Sequence, residues 1–259
     1  MTAFSITVLF LVVGGFVVFA VSLQLKEQAR LAKLRKVVSL NNQSRQVRRF
    51  LDEMPPQYQP KDMRLWLFAR MLKLYDQLLD LQPDTTLTRR RNHLAEEMEI
   101  FQSGKQKRRA KPMNDEVLIV EVKRLFDSFE TFLTLAQRDK VIDSDLAYRY
   151  IQLMHFFKYK INADHYEYFA RKDFLSGRID KALELYKEAL SQLSPLKDSP
   201  QAQSAILKLK DIIQELEEDL ALQKAEEEIS KEMANEKEEL DDEWSKFIED
   251  SDFKEKKRF

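Results

Sequence analysis

The pattern of apolar and polar positions divides the chain into stretches of different character. Residues 3–23, AFSITVLFLVVGGFVVFAVSL, contain no charged side chain. At about 1.5 Å per residue, a helix of that length crosses the ~30 Å hydrocarbon core of a bilayer. The run therefore predicts a single N-terminal transmembrane anchor over 3–25. A cleaved signal peptide needs a basic start and a shorter apolar core. Met1 to Thr7 carries no Lys or Arg, and Ala20-Val21-Ser22 matches a cleavage site only weakly. Over 26–53 the apolar positions thin out to Leu34, Val37, Val38, Val47, Phe50 and Leu51. That composition predicts a basic juxtamembrane helix acting as a stalk, ended by the prolines of Met54–Pro60.

The spacing then turns helical and stays so. Leu65, Phe68, Ala69, Leu72, Tyr75, Leu78 and Leu79 form one stripe, with Asp62 as its N-cap. Leu87, Leu94, Met98 and Phe101 form another, over Thr88 to Phe101, and the two predict a helical hairpin over 61–103. Residues 104–112, GKQKRRAKP, read as a basic linker. A helical domain follows over 113–222. Asn114 or Asp115 caps a helix to about Arg138, with Leu118, Val122, Leu125, Phe126, Phe129 and Phe132 on its face. Asp143 or Ser144 opens the next, with Leu146, Tyr150, Leu153, Met154 and Phe157. Two short helices, about Asp164 to Leu175 and Ile179 to Leu193, part at Gly177. Ser199-Pro200 starts a last long helix. Ile206, Leu209, Ile213, Leu216 and Leu220, spaced 3, 4, 3 and 4, form a coiled-coil seam or an apolar edge packed on the domain. Nothing alternates with period two between hairpin turns, so the fold class is all-α.

Charge changes this picture in one respect. The net charge of -1 conceals opposite halves. Residues 24–112 carry 20 basic and 10 acidic side chains, and 113–259 carry 23 and 34. Lys26, Arg30, Lys33, Arg35 and Lys36 follow the apolar run directly, while nothing basic precedes it. The positive-inside rule then puts the N-terminus outside and the rest in the cytoplasm. A bacterial inner membrane fits this topology, and so does a mitochondrial outer membrane. Residues 223–259 form an acidic charged tail, expected to be a solvated helix or an unstructured extension.

His165 to Pro195, HYEYFARKDFLSGRIDKALELYKEALSQLSP, shows a denser constellation. Ala170, Ala182 and Ala189 are small where two helices would approach, and Tyr166, Phe169 and Tyr186 fill the space around them. Gly177 can take a positive φ between the helices. The segment resembles a single tetratricopeptide repeat, a 34-residue antiparallel helix pair. Asp173 stands where that pattern has an aromatic, and the closing proline comes one residue late. The resemblance covers only this stretch. It implies that flanking helices, Asn114 to Lys160 among them, cover the faces of the pair. It also implies a concave peptide-binding surface on the first helix, formed by Asp164, Glu167, Arg171, Phe174 and Leu175.

Searching for reaction chemistry turns up little. The chain has no cysteine, four glycines and three histidines, His93, His155 and His165. HExxH, P-loop, G-x-S-x-G and kinase patterns are missing. No cofactor, metal site or enzymatic activity is expected. In the tail, Trp244, Phe247 and Ile248 place an apolar spot at i, i+3, i+4 among acidic residues, the pattern of a helix that docks in a groove. The expectation is a membrane-anchored, non-catalytic adaptor or scaffold that binds protein partners. The basic 26–112 segment allows two alternatives, a membrane-tethered nucleic-acid-binding protein or a regulator of a membrane enzyme.

Overall fold

In the computed structural model the described backbone covers residues 2–104 and 108–255. Side chains are described for 19, 21–104 and 108–246. All secondary structure among these residues is helical. The seven α-helices are α1 (Thr2–Glu53), α2 (Lys61–Leu81), α3 (Thr85–Gln102), α4 (Glu116–Arg138), α5 (Ser144–Leu175), α6 (Ile179–Leu193) and α7 (Pro200–Glu255). Among the described residues no helix is long and apolar enough to cross a membrane. The backbone of the predicted anchor at 3–25 belongs to α1, while its side chains lie for the most part outside those described.

The chain divides into two compact units. The first comprises Met1–Lys111 with Asp127–Phe132 of α4. Here the stalk expected over 26–53 needs correction. The stretch of α1 exposed on every side ends near Lys36; beyond it Leu40, Val47, Phe50, Leu51 and the following Met54 are buried, and α1 packs on α2. The spacing of Val47, Phe50, Leu51 and Met54 puts all four on one face, and burying them drives the last turns of α1 onto its neighbour. Phe50 meets Phe129 edge-on at 4.8 Å between ring centroids and lies 5.4 Å from Phe132. These spacings are within the range favoured for aromatic pairs.

Helices α2 and α3 form the hairpin over 61–103, with three changes in detail. Helix α2 starts at Lys61 behind Pro60 and has no side-chain cap, so Asp62 lies in its first turn. Its buried face is Met63, Leu67, Met71, Leu74 and Leu78, joined by Arg64 and Phe68. That face is turned about one residue from the predicted stripe, and Ala69 is exposed. Apolar residues cover so wide an arc of α2 that periodicity leaves the facing direction open. Helix α3 begins at Thr85, three residues before the predicted start, because the Asp84 carboxylate accepts from the Thr86 amide at 2.8 Å. Residues 105–107 of the linker lie outside the described residues.

The second unit comprises Pro112–Phe126 and Leu133–Phe259. Asp115 and Asp143 cap α4 and α5 as the sequence indicates. Helix α5, however, is continuous for 32 residues. The expected separate helix at Asp164–Leu175 is its last 12 residues. Between Phe157 and Asp164 there is neither Gly nor Pro, so nothing interrupts the backbone ladder. Helix α6 packs on α5, and α7 packs on α6 through Leu183, Ile213 and Leu216, with Ile179, Tyr186, Leu190, Ile212 and Leu220 around them. The 206–220 seam thus serves intramolecular packing.

Candidate protein-binding surfaces

Helix α5 ends in a turn that its sequence dictates. Gly177 takes φ +75°, the Arg178 amide reaches back to the Asp173 carbonyl at 3.0 Å, and the Gly177 amide donates to Phe174 at 2.9 Å. These two bonds form a Schellman motif, for which glycine is the best C′ residue. An ion pair between Arg178 and Asp173 closes the same turn. The chain can then double back, and Ala170, Ala182 and Ala189 are all fully buried. Small side chains at these positions permit close approach of the two backbones. Asp173, which stands where the repeat pattern has an aromatic, is used here by the turn.

The five residues implied as a groove lie along one side of the C-terminal half of α5, at spacings of three, four and three with Leu175 adjoining. Asp164 accepts from Lys160 Nζ at 2.6 Å, an i, i+4 pair. Glu167 is half-buried, and burial raises its carboxyl pKa, with the carboxylate of Asp164 adding to the effect. Lys160, Arg171 and Lys208 of α7 act in the opposite direction. Burial, then the charge on Glu167, raises the Tyr186 phenol. So α5, α6 and α7 all contribute polar groups around Glu167. Arg171, Phe174 and Leu175 are exposed, with Leu175 at 79%. The arrangement offers a half-buried acid toward one end and an apolar tip at the other.

His165 lies beside this row but is engaged elsewhere. Its Nδ1 is 2.8 Å from the Met113 carbonyl, and Phe169 meets its ring edge-on at 5.0 Å. Among the described residues no cluster of three His, Asp or Glu side chains could hold a metal.

The second surface is on α7. Beyond Leu220 every described side chain is exposed, through Lys246. Trp244 is 61% exposed, while the side chains of Phe247 and Ile248 lie outside the described residues. Four further apolar residues were not singled out from the sequence: Leu222, Ile229, Met233 and Leu240, all more than half exposed. At about 100° per residue, these four and Trp244 fall within roughly 60° of each other. Their spacing of 7, 4, 7 and 4 was the available signal, and the high density of acidic residues between them concealed it. The result is a narrow apolar line along roughly 33 Å of helix.

The basic segment is partly neutralised within the first unit. Arg48 pairs with Asp52 at 2.8 Å, Arg49 with Glu53 at 2.7 Å, and Arg91 with Asp76 at 3.0 Å. Arg89 and Arg90 remain exposed. The chain matches no family model, no curated protein and no solved structure.

Proposed function

We propose that this protein is a membrane-anchored, non-catalytic adaptor that binds a protein partner along the distal half of α7. The exposed line Leu222–Ile229–Met233–Leu240–Trp244 carries this reading. Large apolar side chains aligned on one face are costly in water, and a groove on a partner would remove them from it. The surrounding carboxylates add attraction to a basic partner and make binding weaken with salt. Phe174 and Leu175, at the end of the α5 row, supply a second contact for a partner peptide.

Anchoring rests on the uncharged 3–23 run together with the first described part of α1. Phe19, Val21, Leu23 and Leu25 are about half exposed or more, and the basic residues from Lys26 to Lys36 are exposed beyond them. An apolar stretch followed by a basic collar fits a helix leaving a membrane on its cytoplasmic side.

A photo-crosslinking residue placed at Met233 in cells tests the adaptor reading. A discrete protein adduct at Met233, missing when the residue is placed at Glu238 on the opposite face, is the expected result. Equal adducts at both positions, or none at Met233, would defeat it. Deleting residues 1–25 should release the chain from the membrane fraction, and retention there would defeat the anchor.

A further inference from the structure

A cleft of about 270 Å³ opens in the first unit, lined by Pro56, Gln59, Lys61, Arg64, Phe101, Gly104 and Arg108. Three of those seven residues are cationic and none is acidic. Arg64 is the unusual member. It lies in the first turn of α2 on the buried face, only 9% exposed. Its guanidinium is 4.9 Å from the centre of the Phe68 ring and 5.2 Å from that of Phe101. One nitrogen, Nη1, donates to the Leu51 carbonyl at 2.8 Å and to Gln59 Oε1 at 2.6 Å. Its Nε is buried and has no acceptor among the described residues. A buried guanidinium normally has a carboxylate partner, because an uncompensated buried charge is expensive.

Here the neighbouring group is a second guanidinium. Arg108 Nη1 also donates to Gln59 Oε1, at 2.6 Å. Gln59 cannot turn round, since its Nε2 donates to the Phe50 carbonyl at 3.0 Å and its oxygen must therefore face both arginines. Lys61 Nζ adds a third positive charge, resting on the Gln102 carbonyl at 3.3 Å. The carboxylates that act on Arg64 through space, Asp52 and Glu97, are both held by Arg48, at 2.8 and 3.4 Å. Burial, with Arg108 adding repulsion, lowers the Arg64 pKa to about 10, and burial lowers that of Arg108. Both are still charged at neutral pH.

We infer that this cleft is a binding site for a phosphate group, taken up between Arg64, Arg108 and Lys61. A phosphate offers several acceptor oxygens and up to two negative charges. It matches a guanidinium pair whose charge is otherwise unbalanced. Phe101 and Pro56 form an apolar wall suited to whatever carries the phosphate, which is either a soluble phosphomonoester or the headgroup of an anionic lipid.

The test uses the full chain in mild detergent, with inorganic phosphate as the probe and sodium chloride at matched ionic strength as the control. At a hundred times its Kd, phosphate should raise the thermal midpoint by roughly 5–10 °C, and chloride should not. Arg108→Gln and Lys61→Gln, both nearer the rim than Arg64, should keep the helical circular-dichroism spectrum and lose the rise. Arg64→Met should lose it as well if that variant folds. A second arm uses short-chain phosphatidic acid below its micelle concentration. A rise with this probe but not with inorganic phosphate would assign the site to a lipid headgroup. A rise with both would assign it to phosphate as such. No rise with either probe, or a rise undiminished in Arg108→Gln and Lys61→Gln, would overturn the inference.

Discussion

The two halves of α7 form one uninterrupted helix, yet they behave oppositely. From Pro200 to Leu220 the apolar residues come every three or four positions, and Leu209, Ile213 and Leu216 are buried. From Leu222 to Trp244 the apolar residues still keep to one face, but at alternating gaps of seven and four, and all are exposed. The two lines differ in direction and in density: at about 100° per residue the distal line runs along nearly the opposite side of the helix from Leu209, Ile213 and Leu216. A face with an apolar residue on every turn can exclude water against α6, whereas one that skips turns leaves carboxylates between its contacts. Such a face is too polar for this protein's own core and apolar enough for a partner that brings its own basic groups.

The largest test of that contrast is a matched pair of truncations. Leu216→Ala should cost about 2–5 kcal/mol in urea unfolding, because it leaves a cavity between α6 and α7. Leu240→Ala should stay within about 0.5 kcal/mol. Equal losses would mean that the distal half is packed too. Next in size, Ala189→Leu should overpack the α5–α6 contact on which the proximal half is built, costing about 1–3 kcal/mol. Lys187→Leu, at an exposed position of α6, removes only a solvent-exposed ion pair to Glu217 of α7 and should cost well under 1 kcal/mol. Identical melting points for the two variants would remove the close approach assigned to Ala189.

A smaller effect sharpens the comparison at Glu167 of α5, a half-buried acid influenced by Lys208 in the packed half of α7. Burial makes its carboxyl titrate higher in the folded chain than in the unfolded one. The folded chain then holds more protons across that window, and stability falls as pH rises through it. Glu167→Gln removes that penalty, so its midpoint should exceed the parent's at pH 7, and the advantage should vanish below about pH 4. An advantage independent of pH would exclude titration as its cause. The smallest effect is spectroscopic. With Trp66→Phe removing the other indole, Trp244 emission should be red-shifted and open to quenchers in the purified chain. A blue-shifted, protected signal would show the distal half docked on its own protein.

Much of the helical framework was legible because its signals are local. Asp115 and Asp143 announce their helices through caps, and the α4 face from Val122 to Phe132 is buried as its spacing indicates. What eluded the sequence depends on tertiary partners. The last turns of α1 look like a stalk until α2 is there to cover Phe50 and Met54. The pattern of the sequence suggests a separate helix from Asp164, although the local residues offer no break and α5 runs on through it. Of the groove residues, the repeat resemblance implies Glu167 and Arg171 on one side of the helix, but the surroundings of Glu167 include groups of α6 and α7. Arg64 left no trace at all. A basic residue in a first helical turn normally faces water, and only the meeting of Gln59, Phe101 and Arg108 around it makes it different.

Gln59 decides the chemistry of that meeting through a single atom. Its side chain differs from glutamate only in carrying an NH2 group where glutamate has an oxygen. A glutamate there would supply from within the protein the negative charge that Arg64 and Arg108 lack. It would also lose the bond to the Phe50 carbonyl. Gln59→Glu would therefore act as a built-in competitor, satisfying the arginine pair and closing the cleft to any outside anion. By being neutral, Gln59 holds the two cations together and leaves their charge to be balanced by something that comes and goes.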